Sequence, residues 1–160
     1  MCWKSKEKKT SQIAGEDIFV YKVMLQNPDT GRYKSLYYEM EYEPGKVYST
    51  YMEPIDVGPL CEKCRIMINK GFHSYNADKT EIVKGISMNH WSINSKETKD
   101  FWLDMIYGFS YLDDEYKELV AVKCIIPKGA CYYENELGEM VSDQLMVTDN
   151  IIKRFKDIVM

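Results

Sequence analysis

The first regular pattern begins at residue 17. In "DIFVYKVML" (17–25), Phe19, Tyr21, Val23 and Leu25 recur at every second position, and Ile18, Val20 and Met24 fill most of the places between. Apolar residues on both sides of a two-residue period predict a strand covered on both faces. Pro28 and Gly31 then break the run in "QNPDTGR". "SLYYEMEYE" (35–43) alternates more cleanly. Leu36, Tyr38, Met40 and Tyr42 share one face, and Tyr37, Glu39, Glu41 and Glu43 share the other. That is the pattern of a half-buried antiparallel strand with an acidic outer side. "EPGK" (43–46) turns the chain, "VYSTYM" (47–52) reads as the next strand, and "PIDVGP" (54–59) interrupts the meander.

The middle of the chain changes period. In "LCEKCRIMIN" (60–69), Leu60, Cys64 and Met67 fall at helical spacing, with Pro59 placed for a first helical turn and Gly71 for a stop. "GFHSY" then restarts an extended segment, while residues 77–92 fit a short strand or a broken helix equally. "NSKETKDFWLDMIYG" (94–108) predicts a helix. Asn94 and Glu97 form a capping box, and Phe101, Trp102, Met105 and Ile106 form one apolar stripe.

"KELVAVKCIIPKGACYY" (117–133) reads as strand, turn, strand. Val120, Val122, Cys124 and Ile126 share a face, while Lys123 interrupts the other. "ENELGE" is a polar connection, and "VSDQLMVT" begins a short extended segment. In the closing "DNIIKRFKDIVM", Ile151, Ile152, Phe155, Ile158 and Val159 predict a helix capped by Asp149. Strands, helices, strands and a final helix give an α+β fold with a mainly antiparallel sheet, a mid-chain helical region and a C-terminal helix. Residues 1–15 read as a flexible N-terminal segment, and residues 16–160 as a single domain.

Charge and cysteine content narrow the setting. The net charge of −4 opposes general nucleic-acid binding, although "KSKEKK" (4–9) and "IIKRFKD" (151–157) are locally basic. No apolar run spans a membrane, and no apolar stretch of a secretion signal follows the charged N-terminus. Five cysteines leave one unpaired, which fits reduced thiols and a cytoplasmic protein.

Candidate chemistry is sparse. Cys61 and Cys64 have the spacing of two zinc thiolates, and His73 follows within reach. The second close ligand pair of finger signatures is missing, and two cysteines one helical turn apart need no metal. The same "CEKC" at a helix start would suit thiol–disulfide exchange, but "PIDVGP" is a poor strand to feed such a helix. Ser74 adjoins His73, yet neighbours on a strand point to opposite faces, so they form no ready nucleophile–base pair. Phosphate-binding glycine loops are absent, and no complete motif requires a cofactor. Thirteen tyrosines, several in extended segments, suit either a sheet or an aromatic ligand cleft. Alternation places Phe72 and Ser74 on one face, leaving His73 and Tyr75 as the pair to meet a ligand.

"KGFHSYNAD" (70–78) and "VKCIIPKGACYYENELGEMVSDQLMV" (122–147) resemble a group of small proteins from gut bacteria and their phages or mobile elements. That group brings no established activity. The order of elements also resembles a reduced mono-ADP-ribosyltransferase fold. The resemblance implies a cleft in which His73, Ser74, Tyr21 and Glu139 converge, with Ser74 near the family's serine and Glu139 near the glutamate that orients the ribose. Tyr21 and Tyr75 would then contact NAD or a related nucleotide. Three departures stand out: Tyr21 and Lys22 replace an arginine or histidine, the serine–threonine–serine triplet is absent, and Gln144 precedes the last apolar strand. The leading expectation is a non-enzymatic accessory or interaction domain with a protein or small-molecule partner. The alternative is a divergent ADP-ribosyltransferase-like domain.

Overall fold

A computed structural model describes residues 3–5, 10–35, 40–56, 66–76, 118–135 and 138–154. These residues form β1 (Trp3–Ser5), β2 (Gln12–Ile13), β3 (Ile18–Gln26), β4 (Tyr33–Lys34), β5 (Glu41–Tyr42), β6 (Val47–Ser49) and β7 (Pro54–Asp56). They continue with β8 (Ile66–Ile68), β9 (Phe72–Asn76), β10 (Glu118–Ile126), β11 (Cys131–Glu134), β12 (Glu139–Ser142) and β13 (Gln144–Arg154). Every pairing is antiparallel. The larger sheet runs β2-β11-β12-β9-β3-β10-β13-β6, with the β4–β5 hairpin attached to the end of β3; a second sheet runs β1-β8-β7.

The expected α+β class is overturned, because the described residues contain strands and no helix. The predicted C-terminal helix fails at its start. Ile151 to Arg154 continue β13, where Ile151 faces Val122 and Arg154 faces Val120. The neighbouring strand β10 offers Ile151, Lys153 and Arg154 ladder partners, and β-branched Ile151 and Ile152 suit a strand. The end of the expected 60–69 helix is likewise β8, held between β1 and β7. Cys61 and Cys64 lie outside the described residues, as does the predicted 94–108 helix. "PIDVGP" yields β7, with Pro54 opening an edge strand, a place where a missing N–H costs no ladder bond. The single strand expected at 35–43 is instead half of a hairpin: Tyr33 faces Tyr42 and Lys34 faces Glu41. Within the N-terminal segment, β1 and β2 each join a sheet, and Trp3 is fully buried.

β12 and β13 are separated by Asp143 alone, yet β9, β3 and β10 lie between them in the sheet. Four interstrand steps in a flat sheet would span about 19 Å. Two Cα steps reach only about 7 Å. The sheet therefore curls until its flanks meet at Asp143. Its concave side holds the main core: Val20, Met24, Phe72, Val120, Val122, Cys124, Ile126, Met140, Leu145 and Val147. Each such side chain contributes roughly 1.5–3 kcal/mol on burial. The small sheet covers part of the convex side, where Trp3, Ile66 and Ile68 meet Tyr133 and Val141. Among the described residues no helix is long and apolar enough to cross a membrane.

Three hydrogen bonds fix the joint. Asp143 N–H donates to Cys131 O (3.0 Å), Thr50 N–H donates to Asp143 O (2.8 Å), and Cys131 N–H donates to Asp143 Oδ1 (2.9 Å). Asp143→Ala is expected to lower stability by about 1–3 kcal/mol, because the Cys131 N–H loses its acceptor. Asp143→Asn keeps an oxygen there and should stay close to wild type. Urea unfolding of the two variants checks this; equal losses would mean that the side-chain bond does not hold the joint.

Candidate functional site

β9 sorts the predicted site residues by face. Its alternation turns Phe72 and Ser74 into the concave core and sets His73 and Tyr75 on the convex side. Gly71 lets β8 turn closely into β9. Its φ is +142°, and a Cβ there would stand 2.5 Å from Val141 Cγ2.

The register then builds a row across four strands. Glu139 of β12 faces Tyr75, Tyr75 faces Tyr21 of β3, and Tyr21 faces Lys123 of β10. Directly opposed residues share a face. The row thus runs acid, tyrosine, tyrosine, amine over three interstrand steps, roughly 14 Å. Tyr75 is buried, while Glu139, Tyr21 and Lys123 are half-buried. His73 lies on the same face, two residues from Tyr75 and opposite Val141.

Both ends of the row are oriented by neighbours. Asn135, itself buried, donates through Nδ2 to Glu139 Oε1 (3.1 Å), and its Oδ1 accepts from Glu139 N–H (3.0 Å). Trp3 Nε1 donates to Glu139 O (2.8 Å), which ties the small sheet to this hairpin. Glu139 Oε2 accepts no hydrogen bond among the described residues, so one carboxylate oxygen is fixed and the other has acceptor capacity left. At the far end, Lys123 Nζ stands 4.0 Å from the ring centroid of exposed Phe19. The β10–β13 register shifts beside it, and Thr148 Oγ1 donates to Lys123 O (2.6 Å).

Of the four residues expected to converge, Tyr21, His73 and Glu139 share the convex face and Ser74 does not. Ser74 is 2% exposed on the concave side. A cleft containing all four is thereby corrected: strand alternation separates the hydroxyl from the carboxylate. The His73 ring nitrogen Nε2 lies 3.3 Å from Asn69 O, which assigns the proton to Nε2, since a carbonyl only accepts. Burial, reinforced by the charge of Lys22, pushes the imidazole down to about 4 against the opposing effect of that hydrogen bond. A neutral ring so hard to protonate is a weak general base near neutrality.

Metal and thiol chemistry gain no footing among the described residues, and the Cys61–Cys64 pair lies outside them. Among the described residues no three His, Cys, Asp or Glu side chains gather as metal ligands. Burial pushes the Cys124 thiol up to about 12, and burial with Asp143 nearby raises that of Cys131, so both stay protonated. The residues missed from the sequence are Lys123, Asn135 and Lys22. For the two lysines a signal existed: each interrupts an otherwise apolar strand.

The His73 shift has a sign that can be tested. The unfolded chain binds the proton near the ordinary value of 6.5, and the folded chain only near 4. Stability is therefore fully retained above pH 6.5 and falls as pH drops from 6.5 toward 4, by up to about 1.4 kcal/mol per pH unit. His73→Gln should flatten that part of the curve. Urea unfolding from pH 7.5 to 4.5 compares the two; parallel curves would assign the acid loss to other groups.

No protein-family model, curated protein or solved structure matches this chain.

Proposed function

We propose that this chain is a non-enzymatic binding domain whose convex sheet face takes a flat, anionic small molecule of the nucleotide class. The observation that carries this reading is the row Glu139–Tyr75–Tyr21–Lys123. Aromatic rings between a carboxylate and an amine match the three parts of a nucleotide. A ring packs a base, a carboxylate accepts from ribose hydroxyls, and an ammonium attracts phosphate. NAD is the nucleotide that the ADP-ribosyltransferase resemblance implies. The position of Ser74 on the opposite face and the depressed basicity of His73 favour binding over group transfer.

A second reading, a protein-interaction domain, draws on the edges of the large sheet. Edge strands β2 and β6 present Ile13 at 71% and Val47 at 47% exposure. Among the described residues no further strand pairs with these edges, and edges bearing exposed apolar side chains are places where a partner strand adds.

Isothermal titration with NAD, ADP-ribose and AMP separates these readings. On the nucleotide reading, Lys123→Ala and Glu139→Gln each weaken binding about tenfold, equivalent to ~1.4 kcal/mol. NAD is recovered intact after incubation. Absence of binding at millimolar ligand would leave the interaction reading, and release of nicotinamide would move the protein to the transferase class.

A further inference from the structure

The concave side of β9 holds a second polar feature, independent of the convex row. The ladder between β3 and β9 pairs Val20 with Asn76 and Tyr21 with Tyr75. One antiparallel step further, Lys22 comes opposite Ser74. The β3–β9 ladder ends before that step, and β3 pairs with β4 at Leu25 and Gln26. Lys22 fills the seam with its side chain: Nζ donates to His73 O at 2.7 Å.

The surroundings are apolar. Val20, Met24, Phe72, Val122, Cys124 and Met140 form the adjoining core. Burial draws the Lys22 amine down to about 8, with Cys124 opposing, so it is still mostly protonated at neutral pH. An ammonium has three N–H donors, and the described residues accept from one. Ser74 is 2% exposed, and its Oγ has no hydrogen-bond partner among the described residues. Native folds rarely leave such a hydroxyl unpaired. Two polar groups with spare capacity therefore occupy opposed positions just beyond the last β3–β9 ladder pair.

We propose that Lys22 and Ser74 hold one buried water molecule, which accepts from the Lys22 amine and shares a hydrogen bond with the Ser74 hydroxyl. The water extends the β3–β9 seam past the last backbone pair and lets β3 change partners without stranding polar groups. Two polar partners are the minimum that an internal water site needs, beside room for about one water molecule.

Two measurements test this. A high-resolution crystal structure of the whole chain should show a density peak within hydrogen-bond distance of both Lys22 Nζ and Ser74 Oγ. Crystals grown in sodium bromide should show no anomalous peak there. Thermal unfolding of Ser74→Ala gives an independent sign. If the water is bound, the variant loses one of its partners and Tm falls, by about 2–4 °C. If Ser74 Oγ is unsatisfied, removing it raises Tm. In that background Lys22→Met should lower Tm by less than it does in the wild-type chain, since the two positions share the water. An unchanged or raised Tm, missing density, or a bromide ion at the site would overturn the proposal.

Discussion

The passage through Asp143 is the constraint on which the other elements depend. One residue joins β12 to β13, and three strands lie between them in the sheet. Only a curled sheet satisfies both facts. The curl creates a concave side on which strands distant in sequence converge, and that side becomes the core. Asp143 is suited to the joint because it offers a backbone donor, a backbone acceptor and a side-chain acceptor together. Its partners are Cys131, the first residue of β11, and Thr50, the residue after β6. The joint is thus held from β11 on one side and from the end of β6 on the other.

Curling also gives each strand two unequal faces, and β9 shows what this does to chemistry. Ser74 enters an apolar interior in which an unpaired hydroxyl is costly. His73 and Tyr75 join a convex face that Trp3 and the small sheet cover at one end. Lys22 links the two sides, since its amine comes from the core face of β3 and meets the backbone carbonyl of His73. Its charge adds to burial in suppressing protonation of that histidine. The inner lysine therefore helps to set the ionisation of the outer imidazole.

Strands β3 and β10 were legible because their patterns are local and strong. Val120, Val122, Cys124 and Ile126 alternate in sequence and are all fully buried. The C-terminal helix was misread because apolar residues such as Ile151 and Ile152 fit helical spacing until a neighbouring strand offers backbone partners. That neighbour, β10, lies about thirty residues earlier in the chain, and no local window contains it. The β4–β5 pairing was hidden for a related reason: "SLYYE" carries no glycine or proline to separate Tyr33 and Lys34 from Glu41 and Tyr42 as two strands. At the candidate site, Tyr21, Tyr75 and Glu139 could each be singled out from sequence. Their alignment could not, because register is a property of strand pairs.

Register also determines how sharply the convex face can discriminate. A shift of one residue between β9 and β12 would replace Glu139 beside Tyr75 with Met140, and would turn the carboxylate toward the core. The hairpin that leads into β12 opposes such a shift at several points. Asn135 binds Glu139 through backbone and side chain, Gly138 adopts a positive φ of 79° in the turn, and Trp3 holds the Glu139 carbonyl from the small sheet. At the other end, the bulged β10–β13 pairing and the Thr148 hydroxyl fix the backbone of Lys123. The acid and the amine are therefore positioned by separate local devices, with two tyrosines on rigid central strands between them. A face built this way favours ligands that carry opposite polarity at their two ends, because reversing the ligand sets like charges together at both ends of the row.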